Sequence, residues 1–477
     1  MNYSGMKVLV MGLGLHGGGL EAAHYLLRHG AALTITDLRD EKVLAPSIEK
    51  LGSASSSIRF VLGRHEMRDF RIADMVIKNP AVPRNSPFLQ ESRCIETDIS
   101  LFLAASPARL TAISGSKGKS TVTQAVHEVL KKARGPAAAY AGGNITVSPL
   151  GFLDDLKSTD DVVLELSSFQ LGDLADKRRA DGSALLKPSV AVLTPILPDH
   201  LDRYRNMDEY VADKRVIYQG QDENDITIAG DDAWGRSFHA ETRGRALSYS
   251  NAPLAAGVSG AWLGRTGEPA YACLRANGLP GLQADCTTEL VPARPLLPGL
   301  HQKQNLMIAG LALLGLGLDP PTIRDGLGSF GGVPHRLEFF YESNGVRFYN
   351  DSAATIPEAA AAALDALGED APVVLVCGGT DKKLDFSPLV KAAPRAKAII
   401  LLEGSGSEKL RRDFDAQGIK YLGVWDSIDK AAAAAMEAAE AGDRVVLSPG
   451  CTSFGMFLNE FDRGTQWKDA VIAKTRF

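Results

Sequence analysis

Several things are scarce in this chain of 477 residues, and each shortage excludes a class of function. Lys plus Arg (52) fall below Asp plus Glu (57), a net charge of −5, so no basic surplus exists to hold nucleic acid or an anionic membrane; any anion must be bound locally. Cysteine is sparse and odd in number: Cys94, Cys273, Cys286, Cys377 and Cys451 include no CxxC pair, which suits a reducing compartment rather than a disulfide framework. The longest uncharged apolar stretch, Leu306 to Leu318, is too short and too rich in glycine to cross a bilayer, which takes about 20 residues. Met1 to Lys7 lacks the basic start of a secretion signal, and Val8 to Leu15 reads as a glycine-punctuated strand. The expectation is a cytoplasmic protein with small-molecule partners. There is no repeat, and the alanine runs at Ala359 to Ala363 and Ala431 to Ala435 read as helix.

The length suits three domains, since a domain averages about 150 residues. Alternating strand and helix patterns predict α/β architecture throughout: a Rossmann-like domain over 1–105, a P-loop ATPase-type domain over 106–331, and a second Rossmann-like domain over 332–477.

The most informative stretch is Ser114-Gly115-Ser116-Lys117-Gly118-Lys119-Ser120-Thr121, after the apolar run Leu110 to Ile113 and before the helical pattern Val122 to Leu130. A strand that turns through glycines into a helix start presents unpaired N–H groups and the positive end of the helix dipole, a setting for polyphosphate. Lys119 then sits against the outer phosphates and the Ser120 hydroxyl on magnesium. Ile113 stands where the usual loop has its first glycine, so this is a shorter variant. The plainer reading is a glycine-rich turn capping a helix.

In the first domain, Lys7 to Met11 runs into Gly12-Leu13-Gly14-Leu15-His16-Gly17, and the strand Ala32 to Thr36 ends in Asp37. Glycines that let backbone approach a pyrophosphate, with an acid placed to reach a ribose, predict a dinucleotide or nucleoside diphosphate site. Met75 to Ile77 leads into Lys78-Asn79-Pro80-Ala81-Val82-Pro83, a stiff turn at a strand end.

In the middle domain the apolar strand Asp161 to Leu166 carries Glu165, an acid costly to bury unless bound to metal or paired with an arginine. The strand Val190 to Thr194 delivers Asp199-His200-Leu201-Asp202-Arg203-Tyr204, a set suited to metal and phosphate. Lys214, on the amphipathic stretch Met207 to Tyr218, reads by pattern alone as a solvated surface lysine. Asn305, on the helix opened by Leu297 to Gln302, reads as a base contact or a helix cap. The last domain has four strands, Val346 to Tyr349, Val373 to Cys377, Ala398 to Leu402 and Val445 to Leu447, each ending in small and polar residues. That pattern predicts an open parallel sheet with a binding edge.

Together these motifs resemble the Mur ligase family along nearly the whole chain, through Ser114 to Thr121, Glu165 to Leu171, Asp199 to Tyr204, His301 to Asn305, Pro334 to Glu338, Asn350 to Ser352, Gly378 to Phe386 and Leu447 to Gly464. The run Glu165 to Leu171 is characteristic of its glutamate-adding member. The resemblance implies an ATP-dependent amide ligase, monomeric, that adds glutamate to UDP-N-acetylmuramoyl-L-alanine through an acyl phosphate. By the same resemblance Leu15, His16, Asp37, Arg39, Asn79 and Ala81 hold the uridine diphosphate, and Asn144 the muramoyl part. ATP falls to Gly115 through Thr121, with Asn305 at the adenine and Arg336 and Asp351 toward the nucleotide. Two Mg2+ fall to Ser120, Glu165, His200 and Lys214, the last matching a lysine that the family carbamylates. Lys119, His200 and Lys214 are the catalytic candidates, and Thr355, Lys382, Ser453 and Phe454 face glutamate.

Some positions depart from the family pattern. Thr146 stands where glycine is usual, Gln302 where asparagine is, and Ala353 where lysine often is. Phe454, Gly455, Glu460 and Phe461 differ around the amino acid, so D-glutamate is expected and L-glutamate is the alternative. An NAD-dependent oxidoreductase leaves Lys119, Ser120 and Glu165 without a use, and a non-catalytic nucleotide binder does not need the set Glu165, His200 and Lys214; the nearer alternative is another ATP-dependent amide ligase such as folylpolyglutamate synthase, against which the Glu165 to Leu171 run and the Rossmann-like start argue.

Overall fold

A computed structural model describes residues 3–15, 17–265, 267–274 and 286–475. The chain forms two compact units, Met1–Pro292 with Gln304–Leu327, and Ala293–Lys303 with Gly328–Phe477.

The first unit contains two sheets. In the first, parallel strands run in the order Arg59–Leu62, Ala32–Asp37, Lys7–Met11, Met75–Lys78, Ile95–Glu96. Lys7–Met11 is central and buried at every position after Lys7, which explains its unbroken apolar run. Its neighbours on the two sides belong to opposite directions of winding, so a crevice opens beyond Met11 where the glycine loop lies. Gly12 (φ 97°) admits Asn79 from the next strand end; a Cβ there would sit 3.1 Å from Asn79 Cβ. The close-packing glycine is Gly19 rather than Gly17, because a Cβ at Gly19 would collide with the Gly12 and Leu13 carbonyls. The strands Arg59–Leu62 and Ile95–Glu96 were absent from the expected set: the first is half exposed and the second is only two residues long.

The second sheet runs Thr287–Val291, Ala270–Cys273, Gly260–Leu263, Arg245–Ser250, Ile226–Gly230, Val190–Leu193, Arg109–Ser114, Asp161–Glu165, Ala139–Gly143. It is parallel from Ala139–Gly143 through Gly260–Leu263 and antiparallel beyond. The phosphate loop follows Arg109–Ser114, between the strand that ends in Glu165 and the strand Val190–Leu193 that runs into Thr194. The helix Lys119–Arg134 starts at Gly118 (φ 88°), longer than the pattern Val122 to Leu130 predicted. Lys78 and Asp173 form an ion pair of 2.6 Å, both nearly fully buried, that ties the first sheet to the second; Lys177 and Glu96 add another at 2.7 Å. Removing one member of such a buried pair costs about 3–5 kcal/mol.

The second unit holds one sheet in the order Glu338–Ser343, Val346–Asn350, Arg444–Leu447, Val373–Gly378, Ala398–Leu402, Gly423–Trp425, antiparallel only at Glu338–Ser343. The four predicted strands are all present and adjacent, with apolar clusters on both faces. Among the described residues no helix is long and apolar enough to cross a membrane.

Candidate active site

At the crevice of the first sheet lies a cavity of about 570 Å³. Of the residues expected there, Leu15, Asp37, Arg39, Asn79 and Ala81 line it, and His16 lies outside the described residues. Asp37 does not project freely: its carboxylate accepts from Gly14 N at 3.2 Å and Arg39 N at 2.9 Å, so it shapes the glycine loop. Asn79 Oδ1 accepts from Ala81 N at 3.0 Å, which stiffens the far wall. Sequence reading missed His65, Leu38 and Phe88 on the same lining. His65 packs edge-on to Phe88 at 5.1 Å and bonds Thr36 Oγ1 at 2.7 Å, and burial lowers its pKa; as lone residues outside any motif they gave no signal.

The phosphate loop is braced from below. Ser116 Oγ donates to Leu197 O at 2.8 Å, accepts from Leu197 N at 2.9 Å and lies 2.9 Å from the Tyr210 hydroxyl, so its side chain braces the loop. Gly115 (φ 140°) passes Thr194 so closely that any Cβ would collide with it. Lys119 Nζ donates to Gly115 O at 3.0 Å and Ser116 O at 3.1 Å, folded over its own loop. Lys117 is exposed, whereas Ser120 and Thr121 are half-buried in the first helical turn. Asn305 is buried against the loop, where a Cβ at Gly118 would strike its Oδ1. It sits well inside the helix Leu300–Gly315, which removes the helix-cap reading.

Lys214 corrects the surface reading: it is 1% exposed, and its amine donates to Gly115 O at 2.9 Å and lies 3.4 Å from Ser114 Oγ. Two ammonium groups thus meet at one carbonyl. Burial, and then the charge of Lys119, push the Lys214 amine down to about 7.

Glu165 is 1% exposed at the end of its strand, beside Ile113 in register. Its partner is Asn144, not an arginine: Asn144 Nδ2 donates to Oε1 at 2.7 Å, while Oε2 is buried with no hydrogen bond. An orphaned carboxylate oxygen on the strand beside the phosphate loop fits a hard cation, since Mg2+ is held by one or two carboxylates together with substrate phosphates. His200 is half exposed at φ 55°, its ring edge-on to Phe169 with centroids 5.1 Å apart, and Asp199 and Asp202 do not join it in a cage. Among the described residues no three His, Cys, Asp or Glu side chains gather as a ready metal site.

In the second unit Asp351 is buried, accepting from Leu337 N at 2.9 Å and from the Ser448 hydroxyl at 2.6 Å; burial pushes its carboxyl up to about 7 against the pull of those two hydrogen bonds and then of Arg336. The loops after Val373–Gly378 and Arg444–Leu447 pair through Thr380 and Thr452, whose amides donate to each other's carbonyls at 3.2 and 3.0 Å. Ser453 is buried on this edge, Thr355 is half-buried, and Lys382 and Phe454 are exposed. Sequence reading gave no role to Arg463. It is fully buried, donates to Ser352 Oγ (2.9 Å), Ser352 O (2.7 Å) and Cys451 O (3.2 Å), and so clamps the two strand-end loops together.

Three sequence profiles match in chain order: the MurD-like amino-terminal domain of Mur ligases over 6–100, the Mur ligase middle domain over 113–313, and the Mur ligase glutamate ligase domain over 335–451. The chain is 39% identical to the UDP-N-acetylmuramoylalanine--D-glutamate ligase of Roseiflexus sp. (strain RS-1), covering 100% of both chains. It is 37% identical to the protein of that name from Treponema pallidum (strain Nichols), over 98% of this chain and 97% of the other. In fold it resembles UDP-N-acetylmuramate-alanine ligase MurC of Thermotoga maritima (TM-score 0.55, 18% identity, 98% and 100% of the two chains) and MurF of Acinetobacter baumannii (TM-score 0.55, 15% identity, 98% and 93%).

Proposed function

The chain belongs to the Mur ligase family, and from that premise we propose that it joins D-glutamate to UDP-N-acetylmuramoyl-L-alanine at the expense of ATP, a step of peptidoglycan precursor synthesis. The observation that carries this reading is the convergence of Lys119 and Lys214 on the Gly115 carbonyl, next to the strand that presents Glu165 with an oxygen to spare. An oxidoreductase has no use for that constellation.

A carboxylate is a poor acyl donor. The γ-phosphoryl group of ATP passes to an oxygen of the alanyl carboxylate, breaking the bond to the β-phosphate oxygen and leaving ADP. Lys119 and the loop amides from Lys117 to Thr121 offset charge on the group in transfer, whereas the Ser116 amide is taken up by Pro195 O at 3.0 Å. The glutamate amine then attacks the acyl carbon, and the tetrahedral intermediate expels phosphate, with loss of the amine proton, to give the amide. Ser120, Glu165, His200 and a modified Lys214 would hold two Mg2+, which supply further charge stabilisation to the phosphoryl group. Asn144 orients Glu165, and by the family resemblance it would contact the muramoyl substrate.

An amine lowered to about 7 is partly neutral at physiological pH, and a neutral amine attacks CO2 to give a carbamate with loss of a proton. This supports Lys214 as a carbamylated ligand rather than a cation. The cavity near Asp37 takes the uridine, Asn305 the adenine, and Arg336 and Asp351 act toward ATP. Thr355, Lys382, Ser453 and Phe454 serve the amino acid. We place the enzyme, as a monomer, in the cytoplasm, where cysteines stay reduced.

Phosphate and ADP release by the purified chain tests the reading. Release is expected only when ATP, Mg2+, UDP-N-acetylmuramoyl-L-alanine and glutamate are all present. Silence with the full set sinks the ligase assignment.

A further inference from the structure

One ion pair joins the loop that walls the nucleotide cavity to the helix that carries Lys214. Asn79, Ala81, Val82 and Pro83 line the cavity, and Arg84 follows directly. The Arg84 guanidinium donates through one nitrogen to Asp213 Oδ2 and through another to Gly172 O, the latter at 3.0 Å. Gly172 lies on the helix Ser168–Leu174, just beyond Glu165, and Asp213 precedes Lys214 on the helix Met207–Gln219. Asp213 Oδ2 also accepts from the Tyr204 hydroxyl at 2.8 Å. Tyr204 stacks on Phe169 with centroids 5.6 Å apart, and His200 meets Phe169 edge-on. A second arginine runs the opposite way: Arg203 lies 4.8 Å over Phe169 and donates to Ala81 O at 2.8 Å.

Asp213 and Lys214 are consecutive on a helix, so their side chains leave the axis about 100° apart and cannot neutralise each other face to face. Holding Asp213 toward the nucleotide loop fixes the rotation that sends Lys214 into the phosphate loop. Asp213 is largely buried, and its carboxylate is held by Arg84 and Tyr204; removing Arg84 strands it. The pairs Lys78–Asp173 and Lys177–Glu96 hold the same two sheets together without Arg84, so its loss perturbs alignment rather than docking.

We propose that Arg84 and Asp213 are positioning residues that couple seating of the UDP-sugar in its cavity to the orientation of Lys214 and His200. The proposal rests on the ligase reading of the site. It makes the two arginine bridges a mechanical link between the uridine end of the substrate and the phosphoryl-transfer end.

The test uses the full chain with Arg84→Gln, Asp213→Asn, the double variant, Arg84→Lys, and the charge swap Arg84→Glu with Asp213→Arg. Steady-state kinetics are measured for each substrate, with thermal midpoints alongside. A displacement at the site of under an ångström predicts a kcat loss of about 10-fold or more in each single variant, with KM for ATP within about 3-fold. The double variant should be no worse than either single, and Arg84→Lys and the swap should recover part of kcat. Full kcat in both single variants, additive losses, or a kcat loss that only follows the thermal midpoint without rescue would overturn the coupling. If the unaltered chain makes no amide, the ligase reading and the coupling fall together; if it does and Arg84→Gln is unimpaired, only the coupling falls.

Discussion

Asn144 donates its side-chain amide to Glu165 Oε1 at 2.7 Å, and the same carboxylate keeps Oε2 buried without a partner. One oxygen is thus fixed, and the other, at the carboxyl end of the strand beside the phosphate loop, is the one proposed to bind Mg2+. Glu165→Gln should keep the fold, since a neutral amide is cheaper to bury than a charge. It should lower ADP formation by about 100-fold or more, as loss of a group stabilising the transferring phosphoryl does elsewhere. Rates across a magnesium titration, with the thermal midpoint as control, check this; an unchanged rate at saturating magnesium would remove Glu165 from the site.

Lys214 carries the second expectation. Its amine, pushed down to about 7 by burial, is protonated below that pH and then cannot take up CO2. Activity should therefore decline as pH falls through 7, and in CO2-depleted buffer it should rise when bicarbonate is added. Lys214→Arg, which stays charged, should be about 100-fold slower and unresponsive to bicarbonate. Between about pH 7 and 10 the unfolded lysine holds a proton that the folded one has lost, so the unmodified chain gains stability from this group as pH rises.

Asp351 has the opposite sign. Its carboxyl is raised to about 7 by burial, so the folded form holds a proton that the unfolded form has released above its ordinary value. Its contribution to stability is complete at low pH and is lost as pH rises through about 7. Asp351→Asn should flatten that loss, which makes the variant more stable relative to the parent at pH 8 than at pH 5. Urea unfolding at the two pH values reads this directly, and parallel curves would refute the buried-acid assignment.

Thr146 holds φ at 64° two residues after Asn144, and its hydroxyl donates back to Ile145 O at 2.6 Å. A β-branched residue in the left-handed region is strained by about 1–2 kcal/mol, partly offset by the backbone entropy that glycine loses on folding. Thr146→Gly should leave turnover within about 2-fold and stabilise the chain by up to about 1 kcal/mol. A clear loss of stability would mean that the Thr146 hydroxyl contributes more than the strain costs.

Much of this was legible in the sequence because glycine loops and strand-end motifs are local. Lys7 to Met11, Gly12 to Gly17 and Ser114 to Thr121 declare their backbone through composition alone, and the four parallel strands of the second unit follow from short apolar runs. Lys214 was not legible by pattern: its helix carries charges on several faces, and only the docking of that helix against Arg109–Ser114 decides which charge is buried. The pairings Arg84 with Asp213 and Lys78 with Asp173 join residues 129 and 95 positions apart, a separation at which no periodicity can signal contact. Arg463 was hidden for the same reason: its partners Ser352 and Cys451 are brought to it by the sheet edge. The lining residues His65 and Phe88 come from segments with no motif.

The most direct test of the account is mass-spectrometric detection of the amide product from ATP, Mg2+ and UDP-N-acetylmuramoyl-L-alanine, in parallel reactions with D-glutamate, L-glutamate and no amino acid. The account predicts the glutamyl product with D-glutamate alone. Product with L-glutamate alone would contradict the assigned specificity while keeping the acyl-phosphate chemistry, and no product in any reaction would contradict the assignment as a whole.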